Sequence, residues 1–138
     1  MKKFKLTTET KVNLLGITLF QIEAIIDFKS TKKGEKGGWI EKEDNVSGDA
    51  WVYGNAMVFG NARVYGDAFN YSPLQIQGKK NFVTECRKGF LKIGCIEFSL
   101  EEWKQRFKEI GNKNGYSESE IKEYELYINL AIELQKLR

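Results

Sequence analysis

The sequence predicts an α+β fold that is mainly β, and three observations point to it. The middle of the chain repeats a six-residue pattern from Val46 to Phe69. Segments on both sides of these repeats are rich in β-branched and aromatic residues and are separated by turn residues, as strands are. Helix-start motifs occur near the end of the chain, at Ser99 and Ser117. Two helices are therefore expected in the C-terminal part of the 138 residues.

The four hexapeptides follow one another without a gap and read VSGDAW, VYGNAM, VFGNAR and VYGDAF. Every copy has Val first, Gly third, Asp or Asn fourth and Ala fifth. A period of six fits neither the 3.6-residue period of a helix nor the simple alternation of an amphipathic strand. It fits a short strand followed by a tight turn, because Gly, Asn and Asp accept the positive φ of such a turn. The Val and Ala side chains are then expected to point inward.

The repeats resemble the hexapeptide repeat of left-handed parallel β-helices, in which three hexapeptides form one triangular coil. The resemblance implies a short β-helix of about one and a third to two coils. Ile40 lies one period before Val46, and residues 41–45 interrupt the pattern. A solenoid of this length cannot bury its own ends. An N-terminal β segment and a C-terminal β segment with two helices are therefore expected to cap it.

The second and sixth positions of each repeat are then expected to point outward, with Trp51 stacked beside Phe69. Soluble monomers rarely leave an apolar patch of this size bare. Tyr, Trp, Met and Arg are also enriched at interface hot spots, which favours a partner-binding surface. The alternative is that flanking segments or identical subunits cover the patch. The candidate protein-interaction residues are Trp51, Tyr53, Met57, Phe59, Arg63, Tyr65 and Phe69.

Three segments are expected to form one compact unit. Residues 1–38 are an N-terminal β segment that ends in a Lys- and Gly-rich loop, residues 39–78 hold the repeats, and residues 79–138 hold a β-hairpin and two helices. Residues 18–26 favour a strand, although a helix over part of 18–28 stays an alternative. The loop lacks a Walker pattern, so a solvated loop is favoured over a phosphate cradle.

Capping boxes open both expected helices, with Ser99 and Ser117 each followed three residues later by Glu. The first helix is expected to run to about Ile110 and to stop at Gly111. The second carries an apolar stripe wider than one packing seam requires, including Leu126, Leu130 and Leu137. This width suggests contact with the end of the β-helix or with a second subunit.

The chain contains no histidine. It therefore has no Ser-His or Cys-His pair and no imidazole zinc site. The hexapeptide-repeat enzymes that it resembles, acyltransferases and γ-class carbonic anhydrases, depend on His as base or as metal ligand, so their sites do not carry over. A carboxylate enzyme using Glu41, Glu43 or Asp44 is disfavoured because these residues look like a solvated loop. No catalytic, cofactor-binding or metal-binding residue is expected, and the chain is predicted not to be an enzyme.

The net charge of +3 is too small for a dedicated nucleic-acid binder. No apolar stretch approaches the roughly 20 residues that cross a bilayer, so no membrane partner is expected. Cys86 and Cys95 lack the spacing of a metal or redox motif and are expected to be free, buried thiols.

Residues 37–41, 72–76 and 99–103 read GGWIE, SPLQI and SLEEW. Together with the repeats, these segments are similar to small hexapeptide-repeat proteins encoded by phages and prophages. The resemblance implies a setting, the cytoplasm of a host bacterial cell, rather than an activity. It favours a non-catalytic protein-binding module that inhibits a host defence complex of the CRISPR–Cas kind by steric docking. The alternative is a structural protein that assembles into homodimers or homotrimers.

Overall fold

The computed structural model describes residues 2–66 and 68–138, so Met1 and Asp67, the fourth residue of the last repeat, lie outside the described residues. The chain divides into two compact units, Met1–Pro73 (unit 1) and Leu74–Arg138 (unit 2). It is an α+β protein with twelve strands, two α-helices and one short 3-10 helix (Glu43–Asn45) in its described part. No helix in that part is long and apolar enough to span a bilayer.

Unit 1 begins with an antiparallel hairpin of β1 (Phe4–Val12) and β2 (Thr18–Ala24), and β3 (Lys36–Ile40) pairs with the other edge of β2. The strand expected over residues 18–26 is therefore confirmed, and the helical alternative is wrong. The side chain of Asn13 fixes the turn of the hairpin. Its Oδ1 accepts hydrogen bonds from the amides of Leu15 at 2.9 Å and Ile17 at 3.0 Å.

The repeats form strands of two residues separated by tight turns, as predicted. In the first turn, the amide of Ala50 donates to the carbonyl of Ser47 at 3.2 Å, and equivalent bonds close the next two. The third-position glycines all have positive φ, at 58°, 65°, 64° and 93°, which explains why Gly holds that position. The five strands are β4 (Val46–Ser47), β5 (Trp51–Val52), β6 (Met57–Val58), β7 (Val64–Tyr65) and β8 (Ala68–Phe69).

The predicted left-handed parallel β-helix is wrong. The repeats contribute three two-residue parallel pairs, β3 with β6, β4 with β7 and β5 with β8. The first of these pairs is the edge of the otherwise antiparallel sheet β1-β2-β3-β6, and the other two are separate two-stranded sheets. Four repeats are too few to propagate a solenoid. The longer flanking strands pair as antiparallel hairpins, which dominate the sheet structure of unit 1.

The core of unit 1 is formed mainly by the inward positions of the repeats. All four first-position valines are at most 4% exposed, and the first three fifth-position alanines are at most 2% exposed. Ala68 breaks the rule and is exposed, while Phe69 is fully buried. The reason is a change of register, because β8 pairs Phe69 with Val52, one residue out of step with the pairing of Val46 and Val64.

Unit 2 contains the antiparallel sheet β9-β10-β11-β12, whose strands pair in chain order. The strands are β9 (Gln75–Gln77), β10 (Phe82–Arg87), β11 (Phe90–Ile93) and β12 (Ile96–Ser99). Helices α1 (Leu100–Lys113) and α2 (Glu118–Gln135) follow. Ser99 and Ser117 cap them through hydrogen bonds from the amides of Glu102 and Glu120, both at 3.2 Å, so the two predicted helix starts are confirmed.

The predicted stop of the first helix at Gly111 is wrong, because α1 continues to Lys113. A Cβ atom added at Gly111 would lie 2.7 Å from Cγ1 of Ile121 on α2. Glycine at this position therefore permits the close approach of the two helices rather than ending the first.

The core of unit 2 lies between the sheet and the helices. It includes Val83 and Leu91 from the sheet, Trp103 from α1, and Tyr124 and Ile128 from α2. The indole Nε1 of Trp103 donates to the carbonyl of Leu91 at 2.7 Å, so its buried polar atom is satisfied.

A buried carboxylate joins the two ends of unit 2. Glu85 is 6% exposed, and its Oε1 accepts a hydrogen bond from the amide of Leu74 at 2.7 Å. The same oxygen pairs with Nη1 of Arg138. The buried charge is thus neutralised and hydrogen-bonded, as burial requires.

Candidate interaction surfaces

Two of the seven predicted interaction residues belong to the core of unit 1. Trp51 is 3% exposed and Phe69 is fully buried. The ring of Trp51 meets that of Phe28 edge-on, with centroids 5.7 Å apart, and Phe69 meets Tyr71 in the same way at 5.4 Å. The expectation that Trp51 and Phe69 point outward is therefore wrong. Their aromatic area contributes to folding of the unit.

The other five predicted residues are at least partly accessible, and we call them the repeat surface: Tyr53, Met57, Phe59, Arg63 and Tyr65. Tyr53 is 39% exposed and Arg63 is exposed, while the remaining three are half-buried. Met57 pairs with Trp39 in β3–β6, and Tyr65 pairs with Ser47 in β4–β7. The repeat surface is thus divided between different sheets.

The most exposed apolar side chains of unit 1 lie elsewhere, at the end of the β1–β2 hairpin. Val12 is 64% exposed, Leu14 105% and Leu15 73%, and we call these three residues the hairpin tip. Asn13 holds the turn between them, as described above, so the tip projects from an ordered backbone. Sequence reasoning missed the tip. The available signal was two adjacent leucines where turns usually carry small or polar residues.

Unit 2 has a second exposed apolar feature on α2. Leu126 is 68% exposed and Leu130 45%, and we call these two residues the α2 stripe. Leu137, which was expected on the same stripe, is 82% exposed but lies beyond the end of α2. Leu126 and Leu130 are four residues apart and therefore lie on one face of the helix. The predicted excess width of the apolar stripe is confirmed for Leu126 and Leu130, which both keep a large part of their surface accessible in the described chain.

Several lysines of unit 1 form ion pairs or hydrogen bonds within the unit. Lys36 lies 2.8 Å from Oε1 of Glu23, and Lys5 lies 3.7 Å from its other carboxylate oxygen. The hydrogen bond from Lys36 lowers the pKa of Glu23, and Lys5 lowers it further. Lys29 donates to the carbonyl of Gly66 at 3.0 Å. Two lysines of the Lys- and Gly-rich loop, Lys29 and Lys36, thus contact groups within the unit. Fewer lysines of the loop therefore remain to bind a phosphate.

Two of the three carboxylates weighed as catalytic candidates make structural contacts. Oε1 of Glu41 accepts a hydrogen bond from the amide of Gly60 at 2.8 Å, and Glu43 forms an ion pair with Lys2. Among residues 2–66 and 68–138, no three His, Cys, Asp or Glu side chains are grouped to hold a metal ion.

Titratable groups with shifted pKa values in unit 2 also have structural causes. The hydrogen bond that Tyr127 donates to Glu123 raises the pKa of Tyr127 to about 12 and lowers that of Glu123. Burial raises the pKa of the Cys86 thiol. Cys86 is buried and Cys95 is exposed, and both are free, so the expectation of two buried thiols is wrong for Cys95.

No protein-family model matches the chain, and no curated protein is significantly similar to it.

Proposed function

We propose that the chain is a non-catalytic protein-binding module that docks on its partner through the hairpin tip. The supporting observation is the exposure of Leu14 and Leu15, 105% and 73%, on a turn that the side chain of Asn13 fixes. Fully burying a leucine side chain stabilises a complex by roughly 1.5–3 kcal/mol. Because the turn is already ordered, little conformational entropy opposes that gain.

The shape of the tip specifies the kind of partner. A hairpin end is convex, so a protein that buries Leu14 and Leu15 must offer an apolar pocket or groove. Apolar side chains that fill such pockets are typical binding hot spots. Our first candidate partner is a host defence nuclease complex of the CRISPR–Cas kind in the bacterial cytoplasm, on the strength of the resemblance to phage proteins. Docking there would inhibit the complex by occluding a channel or blocking a conformational step.

The test compares the unmodified chain with a Leu14→Asp/Leu15→Asp variant. Tagged protein is used to capture partners from a bacterial host lysate, and binding to each identified partner is then measured with purified components by biolayer interferometry. We expect the tip variant to bind at least about 100-fold more weakly, which corresponds to loss of two buried leucines. Its thermal unfolding is expected to be unchanged, because both side chains are exposed in the free protein.

Leu137→Asp is the control, since it places a single aspartate at an exposed leucine of unit 2. It is expected to retain full affinity. The proposal is wrong if the tip variant binds normally. In that event, loss of binding in a Tyr53→Ala/Arg63→Ala variant would instead assign the interaction to the repeat surface.

A second candidate function is self-assembly, and the α2 stripe favours it. Helices with exposed leucines on one face commonly pair with an identical helix in symmetric dimers. We expect a dimer in sedimentation-velocity experiments at tens of micromolar if this candidate holds, and a monomer after Leu126→Glu/Leu130→Glu substitution. A monomeric unmodified chain would eliminate self-assembly without affecting the hairpin-tip proposal.

A further inference from the structure

Unit 2 contains a cavity of about 120 Å³ between the β11–β12 turn and the two helices. An ordered water molecule needs only about 10–15 Å³ of such space, whereas a dry cavity of about 150 Å³ holds one benzene ring. The cavity therefore has the dimensions of a single six-membered ring.

The walls of the cavity are mainly apolar. Trp103, Phe107 and Ile110 line it from α1, and Ile121 lines it from α2. Aromatic and branched aliphatic walls with few polar groups are typical of small-molecule sites. A planar, apolar ligand fits these walls better than a polar one, since they provide dispersion contacts and exclude water.

One end of the cavity is polar and has an unused hydrogen-bond acceptor. Asn81 donates through Nδ2 to the hydroxyl of Tyr116, and both residues line the cavity. Within the described chain, Oδ1 of Asn81 accepts no hydrogen bond. A Cβ atom at Gly94 would lie 3.0 Å from this oxygen. Glycine at position 94 therefore leaves Oδ1 of Asn81 accessible.

The cavity also has an opening to solvent. The exposed residues Cys95, on the β11–β12 turn, and Asn114, at the end of α1, are among its lining residues. A small molecule can therefore reach the apolar walls without unfolding of the unit.

We propose that this cavity binds a monocyclic aromatic molecule that carries one hydrogen-bond donor, with the donor on Oδ1 of Asn81 and the ring between the helices. Phenol is the simplest member of this class. The proposal is independent of protein binding through the hairpin tip, which belongs to unit 1.

Phenol, benzene and the full-length chain are sufficient for the test. Binding is followed by the amide chemical shifts of the protein in ¹H–¹⁵N spectra up to about 10 mM ligand. We expect phenol to give saturating shifts near Gly94, Gly111 and Tyr116, with a dissociation constant on the order of 1 mM. Benzene lacks the donor and is expected to bind about five- to tenfold more weakly, as loss of one hydrogen bond implies.

Two variants test the apolar space and the hydrogen-bond acceptor of the cavity separately. Ile110→Phe fills the apolar space and is expected to abolish binding of both ligands. Asn81→Leu removes the acceptor and is expected to make phenol and benzene bind equally. If Ile110→Phe does not fold, the phenol-to-benzene ratio in Asn81→Leu still decides the question.

Phenol shifts that rise linearly without saturation, or saturating shifts that persist in Ile110→Phe, would overturn the proposal. So would an unchanged phenol-to-benzene ratio in Asn81→Leu. Phenol binding by the Leu14→Asp/Leu15→Asp variant is expected to be normal, so failure of one proposal is distinguishable from failure of the other.

Discussion

The hydroxyl of Tyr124 forms two hydrogen bonds with the backbone of Asn81. It accepts one from the amide at 2.6 Å and donates one to the carbonyl at 3.0 Å. The amide of Lys80 donates to the same hydroxyl at 3.0 Å. One side-chain oxygen on α2 therefore fixes the turn between β9 and β10, a segment distant in sequence.

We predict that Tyr124→Phe destabilises unit 2 by about 2 kcal/mol, because it leaves the backbone amides of Lys80 and Asn81 without their acceptor. Urea unfolding followed by circular dichroism at 222 nm measures the change, since both helices belong to this unit. Tyr53→Phe, at an exposed tyrosine of unit 1, is the control and is expected to change stability by less than about 0.5 kcal/mol. Equal stability of the Tyr124→Phe and unmodified chains would contradict the assigned role.

Asn45 is predicted to be essential for the repeats, because its fully buried amide joins them to the preceding turn. Its Nδ2 donates to the carbonyl of Ala62 at 2.8 Å, and its Oδ1 accepts from the amide of Lys42 at 2.9 Å. Asn45→Asp places a carboxylate against a carbonyl and is expected to destabilise unit 1 by about 3 kcal/mol or more. Hydrogen exchange of the Val58 and Val64 amides measures the effect.

The control for this substitution is Asn61→Asp, which makes the same chemical change in an exposed turn of the repeats. It is expected to alter protection by less than about 0.5 kcal/mol. Similar effects of the two substitutions would mean that the buried amide has no special role.

Phe69 is predicted to act as a core residue rather than as an interaction residue. Phe69→Ala is expected to destabilise unit 1 by about 3–4 kcal/mol, as large-to-small substitutions of buried phenylalanine do. The amide of Tyr53, which donates to the carbonyl of Phe69 at 2.9 Å, is a local probe by hydrogen exchange. Phe59→Ala, at a half-buried phenylalanine of the repeats, should have a clearly smaller effect. A larger loss of stability in Phe59→Ala than in Phe69→Ala would contradict the assignment of Phe69 to the core.

Unit 2 is predicted to lose stability in acid partly through Glu120. The amide of Ser117 donates to this carboxylate and lowers its pKa below 4.5, and Lys80 and Lys79 contribute in the same direction against the effect of burial. Because the folded-state pKa is lowered, the stabilisation is present above about pH 4.5 and is lost as the pH falls through the lower folded-state value. Glu120→Gln should therefore lower the unfolding temperature at pH 7 and have little effect near pH 3.

Thermal unfolding at 222 nm across this pH range measures the difference. Glu118→Gln is the matched control, because Glu118 lies in the same first turn of α2 but is exposed. The Glu118→Gln variant keeps the carboxylate of Glu120 and its favourable interaction with the N-terminal end of α2. A pH dependence that is identical in the Glu120→Gln and unmodified chains would contradict the prediction.

The local structure of this chain was largely predictable from sequence, because local patterns determine it. The turn glycines, the inward valines and the caps at Ser99 and Ser117 each depend on residues close in sequence. The pairing of the repeat strands was not predictable in the same way. It depends on the register of β8, where Phe69 replaces Ala68 in the core, and on the pairing of β3 with both β2 and β6.

The candidate sites were harder to predict than the fold, since exposure depends on which elements cover one another. The periodicity of the repeats assigned Trp51 and Phe69 to an outer face, but packing against Phe28 and Tyr71 buries both rings. The exposure of the α2 stripe followed from its excess width. The cavity of unit 2 had no sequence signal, because its lining residues are spread from Asn81 to Ile128, a stretch that includes three strands and both helices.

The carboxylate of Glu85 has a consequence for the use of unit 2 as a building block. Its Oε1 meets the amide of the first residue of the unit, Leu74, and the guanidinium of the last, Arg138. Leu74 and Arg138 therefore lie near one another, a geometry that suits insertion of the unit into a surface loop of another protein. A graft that spans Leu74 to Arg138 keeps the ion pair between Glu85 and Arg138. A graft that omits Arg138 leaves the buried negative charge of Glu85 at the junction without this partner.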